Sequence, residues 1–365
     1  MVSNEESPMP EMMKCFVMHG IGKVGMVEKP IPRPGPGDAI IRTTAALICT
    51  SDTHTVAGAI GDRQGLTLGH EAVGVIHELG SLAAESGLFK VGQRVAVNAI
   101  TPCYACDNCQ RGYSSQCGGA LGGWKFANLK DGSMAEYFHV NNAIANLAPI
   151  PDSLTDEQAA YCCDMLSTGF VGAEFANIPI GGSVAVFAQG PVGLMATAGA
   201  RLCGAGLVIG VESMPGRIAL AKKYGCDVVV DFTKEDPVAA ILKLTAGKGV
   251  DSAIEALGSP KSFASCVSVT RPGGTISNIG YHGDGENVPI PRLDWGVGMS
   301  DKTIRTALCP GGSERMARLM RLIEAARVDP LSLTTHRFPF NDIEKAFRMM
   351  QTKEDGMIKP LITFA

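Results

Sequence analysis

Hydrophobic and polar residues alternate differently in the two parts of the chain. Before about residue 150, short alternating segments bounded by Gly and Pro, such as residues 38–43 and Arg94–Val97, predict β-strands with one buried face. From Ser183 onward, continuous apolar runs alternate with helical patterns, and the first two runs are Ser183–Phe187 and Leu207–Val211. Repeated strand–helix units of this kind form a doubly wound parallel sheet. The pattern therefore predicts an α/β protein in which a mainly-β region precedes a parallel-sheet region.

Length and composition narrow the class of protein. With 365 residues the chain is expected to form about two domains, and 45% hydrophobic residues can fill two cores. The net charge of −4 gives no basic face, so we expect neither nucleic acid nor a membrane as a partner. Residues 1 to about 11 are polar and acidic, unlike a signal peptide, and predict a disordered leader on a cytoplasmic protein.

Four of the 12 cysteines have the spacing of a metal site. Cys103, Cys106, Cys109 and Cys117 form C-x2-C-x2-C-x7-C in a glycine-rich loop, and four thiolates close a tetrahedral zinc shell. Because cytoplasmic thiols stay reduced, metal ligands are a better interpretation than disulfides. An iron–sulfur cluster uses similar spacings and stays an alternative, although it would require an electron-transfer context. We predict a structural zinc with no open coordination position.

A second donor set centres on His70 and Glu71, which lie between glycines. Cys49 lies twenty-one residues earlier, and thiolate, imidazole and carboxylate are the ligands that zinc takes. Each residue alone has a simpler explanation, because a His-Glu pair is often part of a surface loop and a lone Cys is often a small buried apolar residue. Ser51 and His54 follow Cys49 closely, so their hydroxyl and imidazole could pass a proton outward.

The turn after the first strand of the parallel region is suited to a dinucleotide. Gly190-Pro191-Val192-Gly193 opens the next helix, where backbone N–H groups can approach a pyrophosphate. Ala188 replaces the first glycine of the usual motif, which weakens it. Glu212 ends the second strand, and its carboxylate would accept the adenosine-ribose hydroxyls and repel a 2′-phosphate. Arg217, a helical turn away, is interpreted as solvated, so NAD(H) is favoured over NADP(H).

Together the His70-Glu71 pair, the four-cysteine loop and the glycine turn resemble the zinc-dependent medium-chain alcohol dehydrogenases. The match covers nearly the whole chain after residue 12 and is nearest to the tetrameric, NAD(P)-linked secondary-alcohol (isopropanol) dehydrogenases of bacteria and protists. The stretches that carry it are GIGKVG at 20–25, GAIGDR at 58–63, GWKF at 123–126, PIPRLDWG at 289–296 and LCPGG at 308–312. Such long stretches are more specific than the metal motif.

The resemblance implies a fold and an assembly. We expect a mainly-β, GroES-like catalytic domain formed by residues 1–167 and 309–365, and a Rossmann coenzyme domain formed by residues 168–308. The same resemblance implies a homotetramer with a catalytic and a structural zinc in each chain. The NADP-linked members read Gly-Ser-Arg where this chain reads Glu212-Ser213-Met214, which supports NAD here.

Residue roles also follow from the resemblance. Cys49, His70 and Asp164 would bind the catalytic zinc, with Glu71 as a candidate fourth ligand and Cys163 as a rival for the place of Asp164. Contacts to the coenzyme would come from Thr50, Thr168, Gly190, Pro191, Val192, Gly193 and Glu212. The substrate pocket would be lined by Ala99, Trp124, Tyr281, Leu308 and Cys309.

The implied activity is reversible, NAD-linked hydride transfer between small secondary alcohols and ketones, of the 2-propanol and acetone type. Ser51 and His54 would form its proton relay. A polyol, threonine or primary-alcohol/aldehyde dehydrogenase of the same superfamily is an alternative. A non-catalytic nucleotide-binding protein on this fold is another, but it would be expected to lose the donor set of Cys49, His70 and Asp164.

Overall fold

A computed structural model describes residues 11–283 and 285–365 of the chain. The leader predicted for residues 1 to about 11 lies outside these ranges, apart from its last residue. The elements up to residue 175 are β1 (Met12–Gly20), β2 (Lys23–Pro30), β3 (Ala39–Leu47), α1 (Thr50–Val56), β4 (Leu66–Thr67), β5 (Ala72–Leu79), α2 (Ser81–Glu85), β6 (Arg94–Val97), α3 (Asp107–Gln110), β7 (Tyr137–Val140), α4 (Ala143–Asn146), β8 (Leu147–Pro149), α5 (Asp156–Ala160) and α6 (Met165–Phe175).

The remaining elements begin with the strand–helix units that the sequence predicts. They are β9 (Ser183–Phe187), α7 (Pro191–Leu202), β10 (Leu207–Val211), α8 (Pro215–Lys223), β11 (Val228–Val230), α9 (Pro237–Leu244), β12 (Val250–Glu255), α10 (Pro260–Val269), β13 (Thr270–Asn278), β14 (Thr303–Thr306), α11 (Ser313–Glu324), β15 (Thr334–Pro339), α12 (Ile343–Thr352) and β16 (Lys359–Thr363). Short 3₁₀ helices cover Ser114–Gln116, Gly123–Lys125, Gly296–Gly298, Pro330–Leu333, Phe340–Asp342 and Glu354–Gly356.

The mainly-β region is built around one larger sheet. This 7-stranded sheet has the order β15-β16-β3-β5-β6-β8, with β7 also paired to β3, and a 3-stranded sheet β2-β1-β4 lies beside it. Strands β15 and β16 come from the end of the chain, and β16 pairs antiparallel with β3. The C-terminal stretch therefore returns to the N-terminal lobe, while the domain limits at residues 167 and 309 stay a prediction.

The other sheet is parallel and has the order β11-β10-β9-β12-β13-β14. Its strand order reverses between β9 and β12, and such a switch point leaves a crevice at the carboxyl ends of the strands. The predicted α/β fold class is confirmed. Strand β14 is not predicted by the sequence pattern, because its residues Thr303–Thr306 are largely exposed and lack an apolar run.

Helix α6 connects the two regions and is buried on nearly all sides. Gly169 lets it approach α7 closely, since a Cβ there would lie 2.5 Å from the Cβ of Met195. The main hydrophobic core extends through this contact, from Leu47 in the 7-stranded sheet to Ile254 in the parallel one. Close packing fixes where α6 begins, and its first turn follows Asp164. Within the described ranges, no helix is long and apolar enough to cross a membrane.

Candidate metal centre and active site

Helix α1 holds Cys49 in place at its N-terminus. Cys49 is the N-cap residue with extended backbone angles, and its backbone N–H donates to Asp52 Oδ2 at 2.8 Å. Asp52 Oδ1 also accepts from the backbone N–H of Gly69 at 3.3 Å and lies 3.3 Å from His70 Nδ1. One buried carboxylate therefore links the two chain segments that carry Cys49 and His70. A partner on the ring nitrogen that does not bind the metal, as Asp52 is for His70 Nδ1, orients a metal-binding imidazole and selects its tautomer.

Sequence reasoning misses Asp52, although a signal was present. An acidic residue three positions after a helix N-cap is the capping-box position, which indicates that its carboxylate faces the backbone before the helix. Gly69, by contrast, is required by space as well as by its φ of +89°, because a Cβ there would lie 2.5 Å from Met134 Cγ. The segment before His70 can therefore pass close to the segment that contains Met134 only with glycine at position 69.

Asp164 brings a third donor from the N-cap of α6. Its Oδ1 accepts from the Thr168 hydroxyl at 2.6 Å, and its Oδ2 lies 3.6 Å from His70 Nε2 and 3.9 Å from Cys49 Sγ. Burial would raise the pKa of Asp164, but hydrogen bonding to His70 outweighs it and lowers the pKa to about 2. The group is thus an anionic carboxylate beside a thiol and an imidazole.

The neighbouring Cys163 points elsewhere. Its thiol is fully buried and donates to the carbonyl of Ala72 at 3.4 Å, and burial raises its pKa well above the ordinary value. Within the described residues, the donor group joins Cys49, His70, Glu71 and Asp164, whose ligand atoms all lie within 4.8 Å of one another. A soft thiolate, an imidazole and carboxylates fit a zinc ion chemically.

Glu71 is buried and paired with a residue from the end of the chain. Its Oε1 accepts from Lys359 Nζ at 2.9 Å and lies 3.8 Å from His70 Nε2, whereas its Oε2 has no hydrogen-bond partner in the described part of the chain. Burial would lower the pKa of Lys359, but the Glu71 carboxylate outweighs it and raises that pKa. Because this buried oxygen has no partner, it is suited to act as a further ligand for a cation held by the donor group.

Lys359 is the second residue that sequence reasoning misses. It is 1% exposed in β16, within a run that is otherwise buried and apolar. A lone lysine inside such a strand needs a buried counter-charge, and this signal could have indicated an acidic partner. Which acid it meets is decided only by the return of β16 to the first sheet.

Three members of the donor group, Cys49, His70 and Asp164, line a cavity of about 590 Å³ between the two regions, whereas Glu71 lies behind this wall. Ser51 and His54 line it, and Ser51 Oγ lies 3.3 Å from His70 Nε2. The five predicted pocket positions line it as well, namely Ala99, Trp124, Tyr281, Leu308 and Cys309. Of the predicted coenzyme contacts, those that line it are Thr50, Thr168, Gly190, Pro191 and Val192.

Two of the predicted coenzyme residues, Gly193 and Glu212, do not line this cavity. Gly193 lies in the first turn of α7, where a Cβ would come closer than 3.0 Å to the Ala188 carbonyl. The turn therefore needs glycine at 193 for close packing. Ala188 has a φ of 71°, the left-handed region that favours glycine, so the small alanine keeps the turn of the usual motif with some strain.

The Glu212 carboxylate already has hydrogen-bond and charge partners within the chain. Its carboxylate accepts from the backbone N–H groups of Ser213 at 2.8 Å and Met214 at 3.1 Å, and its Oε2 lies 3.5 Å from the guanidinium of Arg217. Arg217 is not the solvated residue that the sequence predicts. It lines the cavity, and its buried Nε lacks a hydrogen-bond partner within the described residues.

The four-cysteine loop forms a separate donor group. Cys103, Cys106, Cys109 and Cys117 bring their sulfur atoms within 4.8 Å of one another. Backbone N–H groups point at these sulfurs, for example from Cys103 to Cys117 Sγ at 3.2 Å and from Gly118 to Cys106 Sγ at 3.3 Å. Backbone hydrogen bonds from Cys109 and Gly118 lower the pKa of Cys106 to about 6. Burial has the opposite effect on the other side of the group, where it raises the pKa of Cys109 to about 12 and also raises that of Cys117. Four cysteine sulfurs held this close together fit a closed tetrahedral zinc site, in which the bound cation would keep all four thiols ionised.

The chain is similar along almost its whole length to curated alcohol dehydrogenases. It is 51% identical to the NADP-dependent isopropanol dehydrogenase of Thermoanaerobacter brockii over 356 residues, which cover 97% of this chain and 100% of that protein. It is 48% identical to the NADP-dependent isopropanol dehydrogenase of Entamoeba histolytica, covering 96% of this chain and 95% of that protein. An alcohol dehydrogenase of Cupriavidus necator is 46% identical, with 96% and 98% covered.

The names of these relatives correct one prediction. Isopropanol dehydrogenases that share about half of their residues with this chain are NADP-dependent, so the predicted preference for NAD(H) over NADP(H) is wrong. The prediction assumed a free Glu212 carboxylate and no nearby cation. In the structure the carboxylate is satisfied by backbone N–H groups, and Arg217 supplies a positive charge beside it.

Family profiles and solved structures agree with this similarity. The family "Alcohol dehydrogenase GroES-like domain" matches residues 35–152, and the family "Zinc-binding dehydrogenase" matches residues 191–325. The alcohol dehydrogenase from Thermus sp. ATN1 superposes with a TM-score of 0.87 at 29% identity, covering 97% of this chain and 100% of that one. The chain thus belongs to the zinc-dependent medium-chain alcohol dehydrogenases, with the isopropanol dehydrogenases among its near relatives.

Proposed function

We propose that this chain catalyses the reversible oxidation of small secondary alcohols to ketones with NADP(H). The proposal depends on one observation. Cys49, His70 and Asp164 lie together at the wall of a cavity that is also lined by the glycine turn of the parallel sheet. Relatives at 48–51% identity are named isopropanol dehydrogenases, which supports a secondary alcohol as substrate.

The donor group of Cys49, His70 and Asp164 would hold a catalytic zinc, with Glu71 as a candidate fourth ligand. Bound there, zinc supplies a Lewis acid for the alcohol or ketone oxygen. Asp52 fixes the His70 ring from its Nδ1 side, so that Nε2 faces the donor group. The four cysteines of the second group would hold a structural zinc, which keeps their loop folded.

Ser51 and His54 are suited to moving the substrate proton. Ser51 Oγ lies beside the donor group, 3.3 Å from His70 Nε2, and His54 follows one helical turn later on α1. Both side chains line the cavity and are exposed. We propose that Ser51 Oγ accepts the proton of the alcohol hydroxyl while it gives up its own hydroxyl proton, and that this proton passes by way of His54 to solvent.

The remaining cavity wall favours a small substrate with apolar groups on both sides of its oxygen. Ala99 and Cys309 form buried parts of this wall, while Trp124 and Tyr281 contribute large aromatic faces that are 45% and 58% exposed. Apolar walls retain short alkyl chains and offer little to the extra hydroxyls of a polyol. This supports 2-propanol-like alcohols over the polyol and threonine alternatives.

The coenzyme proposal rests on two features of the parallel sheet. The turn at Gly190 opens α7, so its N-terminal backbone N–H groups are available to a pyrophosphate. Arg217 adds a guanidinium at the same end of the sheet, where a 2′-phosphate would need a positive charge. We expect Arg217→Ala to lower kcat/KM for NADP by about tenfold, as for one lost charge-assisted contact, with Lys222→Ala as the control.

An initial-rate screen tests the function directly. Short secondary alcohols, primary alcohols, threonine and a polyol are each assayed with NADP and with NAD. We expect the highest kcat/KM for a secondary alcohol with NADP. A polyol, threonine or a primary alcohol at the top of the ranking would refute the substrate proposal, and inactivity of zinc-loaded protein with all of them would refute the enzyme proposal.

We also propose that the chain works as a homotetramer with the two domains described for its family. Strand β14 lies at the edge of the parallel sheet, and the segment before it exposes apolar side chains such as Leu293 and Met299. An open strand edge beside exposed apolar residues is suited to a contact with another copy. Light scattering coupled to size-exclusion chromatography should give four times the mass of 38.2 kDa.

A further inference from the structure

A buried carboxylate lies beneath the cavity wall that carries Tyr281, outside both donor groups. Glu255 ends β12 and is fully buried. Its Oε1 accepts from the backbone N–H groups of Leu257 at 3.1 Å and Gly258 at 2.9 Å and from the Ser262 hydroxyl at 2.5 Å. The carboxylate thus organises the loop after β12, whose Leu257 lines the cavity.

The segment after β13 is hydrogen-bonded to the main chain of Glu255 and packs closely against its side chain. The backbone N–H groups of Ile279 and Gly280 donate to the Glu255 carbonyl at 2.9 Å and 3.1 Å. A Cβ on Gly280 would come closer than 3.0 Å to Glu255 Oε2, and a Cβ on Gly258 would come equally close to the Tyr281 carbonyl. The two loops therefore touch through their backbones, with no space for a side chain between them.

His282, the residue after Tyr281, contacts both Asn278 and the Glu255 carboxylate. Its Nε2 lies 2.8 Å from Asn278 Oδ1 and 3.6 Å from Glu255 Oε2, and its ring meets the Phe263 ring at a centroid distance of 5.9 Å and an angle of 85°. Asn278 in turn donates from Nδ2 to the Gly280 carbonyl at 3.1 Å. The ring is held by an amide, a carboxylate and an aromatic edge at once.

Tyr281, the residue before His282, lines the cavity. Its ring centroid lies 6.1 Å from that of His54, and it is 58% exposed. In the described part of the chain the Tyr281 side chain has no hydrogen bond of its own, so its place depends on the backbone that carries it. That backbone is fixed by the main-chain carbonyl of Glu255 before Tyr281 and by the side chain of His282 after it.

We infer that His282, held against Asn278 and Glu255, is a positioning residue that sets the place of Tyr281 in the substrate pocket and so the size of alcohol accepted. The inference rests on the proposed function, because it treats the cavity as the alcohol site. His282 itself does not line the cavity. Its effect on substrates must therefore pass through Tyr281.

His282→Phe tests the inference, because phenylalanine keeps an aromatic ring against Phe263 and removes both ring nitrogens. We expect the ratio of kcat/KM for 2-propanol to that for 2-heptanol to change about tenfold, the low end of what pocket contacts discriminate. The coenzyme KM should stay within about twofold, because the glycine turn is untouched. His77→Phe, on an exposed histidine that also meets an aromatic edge, is the matched control and should leave the ratio unchanged.

A double-mutant cycle separates positioning from a general structural effect. In a Tyr281→Ala background, His282→Phe should no longer change the ratio, because the side chain through which it acts is gone. An equal change in both backgrounds would overturn the inference. So would an unchanged ratio in the single variant.

Amide hydrogen exchange gives a readout that needs no activity. The amides of Ile279 and Gly280 should exchange about tenfold faster in His282→Phe than in the wild type or in His77→Phe, because the segment loses its side-chain anchor. Unchanged exchange would overturn the inference even in an active enzyme. If the wild type oxidises no secondary alcohol, the proposed function fails, and the exchange rates alone decide whether His282 holds this segment.

Discussion

The two donor groups of this chain are built in opposite ways. The four-cysteine group takes all its ligands from one loop between residues 103 and 117, with one kind of donor atom and backbone N–H groups around it. The other group gathers thiol, imidazole and carboxylate from residues 49 to 164 and opens on a cavity of about 590 Å³. A local, closed group is suited to holding shape, whereas a dispersed, open group is suited to chemistry on a ligand.

This contrast predicts different consequences when each group is damaged. Removing a donor from the dispersed group should abolish activity and leave the fold standing, because α1, β5 and α6 are held by the large hydrophobic cores. Removing a donor from the loop should lower stability and leave the chemistry of the folded protein nearly intact. The following four variants test this division, beginning with the largest expected effect.

His70→Ala should have the largest effect. Without its imidazole the dispersed group loses a central donor, and we expect kcat/KM for 2-propanol to fall about 10³-fold, which corresponds to about 4 kcal/mol in the barrier. Elemental analysis should show zinc falling from two ions per chain to one. The exposed His19→Ala is the control and should keep both activity and metal. Full activity of His70→Ala would end the metal mechanism.

Cys117→Ser should act on stability instead. A structural zinc contributes folding free energy directly, and loss of one thiolate should cost about 3 kcal/mol of unfolding free energy. We expect kcat per folded molecule to stay within about twofold of the wild type. Denaturant unfolding and zinc content check the result, with the exposed Cys203→Ser as control. An unchanged unfolding curve together with unchanged zinc content would show that Cys117 is not needed to hold a metal in the loop.

Asp52→Asn should have an intermediate effect, because it leaves all four donors of the dispersed group in place. It removes the charge that faces His70 Nδ1 at 3.3 Å, and outer contacts of this kind are worth about 10–100-fold in metal affinity or activity. Zinc competition with a chelator and kcat/KM for 2-propanol measure the change. Asp62→Asn, an exposed acid on the loop after α1, is the control. Wild-type zinc affinity in Asp52→Asn would show that the ring needs no such support.

The same contrast explains what the sequence could predict. The four cysteines are recognisable from spacing alone, and strands such as Ser183–Phe187 are predicted residue by residue, because both are local patterns. The roles of Asp52 and Lys359 could not be predicted, since they depend on which segments the fold brings beside these residues. The residue pattern also cannot decide whether Cys163 or Asp164 faces His70, because the two residues are adjacent and only the backbone at the start of α6 determines which way each side chain points.

The error about the coenzyme has the same origin. A glutamate at the end of β10 suggests a free carboxylate, but the sequence does not show that the next two backbone N–H groups and Arg217 occupy it. The residue pattern of helix α8 does not show which of its faces is buried, so the sequence could not predict that Arg217 points towards Glu212. Residue type predicts chemistry only when the partners of the residue are also known.

Gly122→Ala should have the smallest effect and probes how tightly the four-cysteine group is packed. A Cβ at 122 would lie 2.6 Å from Cys117 Sγ, so the loop must shift, and overpacking of this kind costs about 1 kcal/mol or slightly more. Gly118→Ala is a control in the same loop, because none of the described heavy atoms lies within 4 Å of a Cβ placed there. Neither residue has a left-handed backbone, so the two variants differ in space and not in conformational strain. We expect Gly122→Ala alone to lower the unfolding midpoint and to release zinc more readily to a chelator, with kcat unchanged in both. Equal behaviour of the two variants would mean that the loop adapts freely around its sulfurs, and the description of a closed, rigid group would then have to be given up.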